Sequence, residues 1–223
     1  MHAMNNDVQM FAVYALPVLF AITLHEAAHA YAAKYFGDAT AYVQGRMSLN
    51  PARHIDPFGT ILLPVLLFFV GAPFLVGYAK PVPVDFGRLR QPKRDMAWVA
   101  LAGPGANLIM AFGWLIFLLL LKASHVTEPF FLAMAQAGID VNLMIFAFNL
   151  FPLPPLDGGR VMTSILPHKY AYKFARIEPY GFYIMLALLY FQTILWSYWV
   201  VPVAAFGNSV IRLLASPLNI FLS

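Results

Sequence analysis

Long apolar runs alternate with short polar or charged punctuation along this chain. They fall at Val8–Phe36, Phe58–Ala79, Met96–Leu121, Phe130–Phe151 with a continuation past Asp157, Pro179–Trp196 and Trp199–Leu214. Several sustain apolarity over roughly twenty residues, the length a helix needs to cross the hydrocarbon layer. A backbone in lipid must satisfy its hydrogen bonds internally, and the runs lack the two-residue alternation of a barrel strand, so the pattern predicts helices. The expected fold is an all-α polytopic membrane protein with five or six transmembrane segments, forming a single integral-membrane domain over residues 1–223. Between the first two runs, Thr40–Asn50 (TAYVQGRMSLN) carries β-like patches around Gly45, which predict a small hairpin or edge structure at the membrane surface.

The second run is unusual because it contains Pro64, Gly71, Pro73 and Gly77. Proline removes a helical donor and crowds the preceding turn, so a broken or re-entrant hairpin competes with a straight span. Charge favours re-entry. If all six runs cross, Lys34, Arg46, Arg53 and Lys122 lie opposite the rest of the 14 basic residues; if Phe58–Ala79 enters and leaves on one side, Lys122 stands alone. The positive-inside tendency then places the N-terminus outside and the C-terminus in the cytoplasm, and makes the first and fourth runs parallel.

Composition agrees with membrane embedding: 61% of residues are hydrophobic and 11% charged. The opening residues lack a basic n-region and a small-residue cleavage pattern, so the first run reads as a retained helix. Without cysteine, any metal site must use nitrogen and oxygen. The net charge of +4 comes from sparse basic residues beside apolar runs, a pattern of membrane flanks and not of a nucleic-acid groove. Arg88–Arg94 is such a flank, being short and without an aromatic platform.

The first run holds LHEAAHAYAAKYF, in which His25, Glu26 and His29 form H-E-x-x-H. Positions i and i+4 share a helix face, so both imidazoles can converge on one ion. Glu26 points to a neighbouring sector, where its carboxylate can take a proton from a water at the metal without displacing it. The bland reading makes the histidines packing residues and Glu26 a surface charge, but a glutamate within an apolar helix is expensive unless it faces protein, water or a partner.

A second motif, NLFPLPPLDGGR, runs from Asn149 to Arg160. Pro152, Pro154, Pro155, Gly158 and Gly159 interrupt regular helix and permit extended backbone at membrane depth, where protein or a cavity must shield it. Such a break can carry Asp157, a hard oxygen ligand, towards His25 and His29. Three protein ligands and one water make the open site of a hydrolytic Zn2+ centre. Asn149 has two readings: it polarises the oxyanion or aligns substrate, or it satisfies the broken helix locally.

These features resemble the site-2 protease family of intramembrane zinc metallopeptidases, peptidase family M50. The resemblance rests on HEAAH, on NLFPLPPLDGG and on AGPGAN at Ala102–Asn107. It implies that His25, His29 and Asp157 hold zinc, that Glu26 activates water, and that a membrane-spanning polypeptide is cut in or near the bilayer, the chemistry of regulated intramembrane proteolysis. GYAKPVP at Gly77–Pro83 and HIDPFGT at His54–Thr60 suggest the compact branch without PDZ or CBS modules, since no remaining stretch is long enough for one. A prokaryotic plasma membrane, an active site nearer the cytoplasm and an accessory regulator are further expectations.

Asn107 reads as an interhelical support and Gly103 as a point of close helix approach. His54 and Asp56 read as a surface turn, His125 and His168 as interfacial, and Trp196–Trp199 as anchors of an outer turn between the last two helices. A transmembrane substrate must unwind before attack, and the second run with Tyr42–Leu49 is positioned in sequence to pair with it or gate it. Two other classes stay open: a transporter or ion-binding membrane protein, and an inactive metal-binding scaffold.

Overall fold

The computed structural model describes residues 2–54, 56, 62 and 80–222, and these are all helix and loop. The second apolar run, Phe58–Ala79, lies outside the described residues but for Leu62, and with it the question of crossing or re-entry. Helix α1 spans His2–Tyr35, and a four-residue turn of helix, α2, covers Thr40–Val43. Then follow α3 (Pro92–Ala123), α4 (Pro129–Asn149), α5 (Asp157–Ile165), α6 (His168–Ala175) and α7 (Gly181–Tyr190). The chain closes with α8 (Gln192–Leu195), a π-helical stretch Trp196–Val200, and α9 (Val201–Leu222).

Four helical segments among the described residues are long and apolar enough to cross a membrane: Gln9–Tyr35, Pro92–Ala123, Pro129–Asn149 and Gln192–Leu218. The expectation of five or six is corrected on that count. Pro179–Trp196 is apolar, but its regular part, α7, has 10 residues, about 15 Å of helix, half of what the hydrocarbon layer requires. Trp196–Trp199 is not an outer turn either. It lies in a π-helical segment that continues into α9, and Trp199 donates its indole N–H to the Ala147 carbonyl at the end of α4.

The β-like region is likewise absent: no strand forms among the described residues. Local capping explains the outcome. Helix α1 ends at Gly37, whose φ of 115° is the left-handed cap conformation, with Asp38 N–H bonding Ala33 O and Gly37 N–H bonding Lys34 O. Asp38 then accepts from the Thr40 N–H and hydroxyl, a side-chain turn that leads into the next turn of helix. Gln44 N–H returns to Thr40 O and Arg46 N–H to Ala41 O, which uses up the amides a strand ladder would need.

Small residues bring the spanning helices together, because lipid gives apolar side chains no reason to leave it. Ala21, Ala27, Ala30 and Ala33 on α1, Ala100, Gly103 and Ala111 on α3, and Ala135, Gly138 and Ala147 on α4 are all buried. One core unites Leu115 and Leu118 of α3, Ile139 and Leu143 of α4, and Ile211 and Ala215 of α9. Direction follows from contact order. His29 bonds Val99 while Asn107 reaches Ala21, so α1 and α3 are antiparallel. Asn107 meets Asn142 while Trp114 meets Gly138, so α3 and α4 are antiparallel and α1 and α4 run parallel.

Helix α9 runs against α4, since Trp199 meets Ala147 and Ile211 packs near Ile139. The chain therefore ends on the side where α1 begins, which corrects the expectation of termini on opposite sides. The end where α1 finishes gathers the charge. Lys34 closes α1, Lys93 and Arg94 open α3, and Arg46, Lys80 and Arg90 are bonded beside them, whereas Lys122 closes α3 at the opposite end.

Candidate metal centre

His25 and His29 sit one turn apart on α1, with His25 about 15 Å and His29 about 9 Å of ideal helix from its end at Tyr35. Asp157 opens α5, after the loop Phe151–Leu156 has folded back from the end of α4. Two glycines make that fold possible. A Cβ at Gly158 would overlap the Leu150 carbonyl, and one at Gly159 would overlap the backbone of Leu153 and Pro154. The first turn of α5 therefore rests directly on the preceding main chain, and Asp157 is carried inward, 5% exposed.

There it meets both imidazoles. Asp157 Oδ2 is 3.2 Å from His25 Nε2 and 3.3 Å from His29 Nε2, and the two nitrogens are 3.1 Å apart. The hydrogen bonds behind the rings decide what this triangle means. His29 Nδ1 lies 2.7 Å from the Val99 carbonyl, which only accepts, so Nδ1 carries the proton. His25 Nδ1 lies 2.6 Å from Asn107 Oδ1. The amide of Asn107 cannot be reversed, because its Nδ2 donates to the Ala21 carbonyl and to Asn142 Oδ1, and Asn142 Nδ2 in turn donates to the Gly138 carbonyl.

Both neutral rings are thus set as Nδ1–H tautomers with Nε2 lone pairs turned inward. Two lone pairs and a carboxylate oxygen converge with no proton of their own between them. Such a triangle repels itself unless a cation sits against it, and Asp157 Oδ2 has no hydrogen-bond donor. The spacing fits zinc: tetrahedral bonds of about 2.0–2.1 Å put ligand atoms roughly 3.3 Å apart. Nitrogen, nitrogen and oxygen are also the donors zinc takes in hydrolytic sites. Gly103 closes the cradle from α3, where a Cβ would overlap His29 Nε2 and crowd His25.

Among the described residues no fourth His, Cys, Asp or Glu joins the three. Glu26 is half-buried beside them, and its Oε2 accepts the Val82 N–H at 2.7 Å. Asn149 is not brought into the cluster. Its amide donates to Ile145 O one turn back, the local backbone bond that sequence reasoning set beside a substrate-facing role. His54 closes a turn, its N–H bonding the Pro51 carbonyl, but its ring is buried and donates from Nε2 to Ser48 O. His125 follows α3 and His168 opens α6, both away from the site.

Sequence reasoning passed over Asn142 and the Val82 amide. Asn142 carried a signal, a polar amide in the middle of an apolar span. The Val82 contact joins positions far apart in the chain through a main-chain atom, which no side-chain pattern reports.

A family model described as peptidase family M50 matches residues 122–192, the stretch that contains Asn149 and Asp157. The candidate zinc metalloprotease YwhC of Bacillus subtilis is 40% identical over 210 residues, which cover 90% of each chain. The candidate zinc metalloprotease Rip2 of Mycobacterium tuberculosis H37Rv is 33% identical over 154 residues, 67% of this chain and 54% of Rip2. The zinc metalloprotease MJ0392 of Methanocaldococcus jannaschii is 27% identical over 169 residues, 76% of this chain and 38% of that protein. No solved structure matches.

Proposed function

The chain belongs to peptidase family M50, the site-2 zinc metalloproteases, and from that premise we propose that His25, His29 and Asp157 hold the zinc of an intramembrane endopeptidase with Glu26 as its base. One observation carries the residue assignment: two imidazole lone pairs and one carboxylate oxygen, buried at mutual distances of 3.1–3.3 Å, with both tautomers set from behind.

Bound there, zinc supplies Lewis acidity, acidifying a water and polarising the scissile carbonyl. The residues do the rest. Asn107 and Val99 keep the Nε2 lone pairs of His25 and His29 facing the ion, and Asp157 supplies the negative charge that offsets it. Glu26 accepts the proton of the attacking water and passes it to the leaving amine nitrogen as the C–N bond breaks. Asn149 contacts the substrate if its amide exchanges the Ile145 carbonyl for a substrate carbonyl.

The substrate is a membrane-spanning polypeptide. It must unwind before attack, because a helix hides its carbonyls in internal hydrogen bonds. The gathering of basic residues where α1 ends supports a cytoplasmic position for that end, in a prokaryotic plasma membrane. We read the chain as one integral-membrane catalytic unit, with an accessory regulator as a further partner. The test is zinc analysis joined to cleavage of tagged single-span polypeptides. Glu26→Gln should keep its zinc and lose cleavage; cleavage at the wild-type rate in that variant would remove Glu26 from the role.

A further inference from the structure

The segment from Lys80 to Val84 runs past the motif helix without forming regular structure, yet it is held along its length. Lys80 N–H bonds the His54 carbonyl, and Arg46 donates to the Lys80 and Pro81 carbonyls at 2.9 and 3.4 Å. The Val82 side chain is buried with Ala30 and Ala41, and the Asp85 N–H reaches Asp38 Oδ2 at 2.8 Å. Within Pro81–Pro83 only Val82 has an amide proton, and that proton goes to Glu26 Oε2 at 2.7 Å.

We propose that this strap positions the base: the main-chain N–H of Val82 holds one oxygen of Glu26 so that the other faces the reacting water. The inference rests on the reading of Glu26 as the base. A glutamate side chain has several rotatable bonds, and a charge-assisted hydrogen bond from an anchored backbone removes most of that freedom. The second oxygen keeps both lone pairs for the water. The sequence suits the task. A residue before proline is kept extended, so Lys80 and Val82 both resist coiling away, and the flanking prolines offer Glu26 no competing amide. Val82 acts here as a positioning residue, through its backbone.

The test uses the full chain in detergent micelles, with a tagged single-span polypeptide that contains a Gly-Pro break. Val82→Pro removes the N–H and keeps an extended backbone; Val82→Ala keeps the N–H and trims only the side chain. Val82→Pro should lose about 10- to 100-fold in kcat, with KM within about threefold and full zinc content. Val82→Ala, which keeps the N–H but loosens one anchor of the strap, should lose about tenfold less in kcat than Val82→Pro. Should Val82→Pro fail to hold zinc, Arg46→Met, which frees the strap from the other side, takes its place with the same signature expected.

A second readout needs no turnover. Hydrogen exchange at the Val82 amide should be slow in wild type and in Glu26→Gln, which keeps an acceptor oxygen, and faster by about tenfold or more in Glu26→Ala. Wild-type kcat in the zinc-loaded strap variant, a raised kcat that would mark the strap as a cover, or unchanged exchange in Glu26→Ala would each overturn the proposal. Failure of the base reading looks different: Glu26→Gln would cleave normally while the exchange contrast remained.

Discussion

Replacing Asn107 with leucine probes how the site is made, because Asn107 touches His25 and not the ion's position. In the wild type, Asn107 Oδ1 fixes the His25 Nδ1 proton at 2.6 Å, and the residue is fully buried. Leucine leaves that proton without an acceptor in a buried site, which costs on the order of 1–3 kcal/mol. The ring can recover only by moving the proton to Nε2, where it would point at Asp157 and block ligation. Loss of such an outer partner typically weakens metal binding by about 10- to 100-fold, or roughly 1.4–2.7 kcal/mol.

Zinc affinity measured by chelator competition should therefore fall by that factor in Asn107→Leu. Asn107→Asp keeps an acceptor for Nδ1–H and should stay within about fivefold of wild type. Asn142→Leu removes only the outer link, leaves the Asn107 bond to Ala21 O, and should fall between the two. Wild-type affinity in Asn107→Leu would refute the claim that this relay sets the tautomer.

Other consequences are open to direct measurement. Gly103→Ala places a methyl against both imidazoles, so zinc content should drop and thermal stability should fall by about 1–3 kcal/mol, readable in a melt with and without zinc. Gly159→Ala drives a Cβ into backbone at Leu153 and Pro154, and should abolish stoichiometric zinc because Asp157 can no longer be carried inward. Burial pushes the Asp38 carboxyl up, but the Thr40 hydroxyl, the Thr40 and Asp85 amides and the Arg88 charge outweigh it and hold its pKa below the ordinary value. Its contribution to stability is thus present above the ordinary carboxylate range and lost as pH falls through the lowered value. Asp38→Asn should flatten that acid-side loss in pH-dependent melts. Finally, a substrate span with a central Gly-Pro should be cut faster than the same span with Leu-Leu, and equal rates would deny the need for unwinding.

The chemistry was more legible than the architecture. Two residues in HEAAH and one in LDGG point to the His25, His29 and Asp157 cluster because metal geometry constrains residue type and spacing, and helix periodicity turns spacing into direction. The span count misled because hydropathy measures composition and not the length of regular helix: the apolar run at 179–196 includes Pro179 and two short helices, α7 and α8, parted by a turn at Phe191. The β-like reading of Tyr42–Leu49 failed for a different reason. Tyr42 and Val43 have strand-forming side chains, but the turn that Asp38 makes with Thr40 and the positive φ of Gly45 settle the backbone locally. Asn142, Gly103 and the Val82 amide act only once three helices and a strap have met, so their roles belong to tertiary structure.

X-ray absorption at the zinc edge of the loaded protein bears most directly on the metal cradle. Two imidazole rings and two oxygen donors at about 2.0–2.1 Å are predicted, with one ring signature lost in His29→Ala and one oxygen contribution altered in Asp157→Ala. A spectrum with three imidazoles, or one that keeps both ring signatures in His29→Ala, would contradict it.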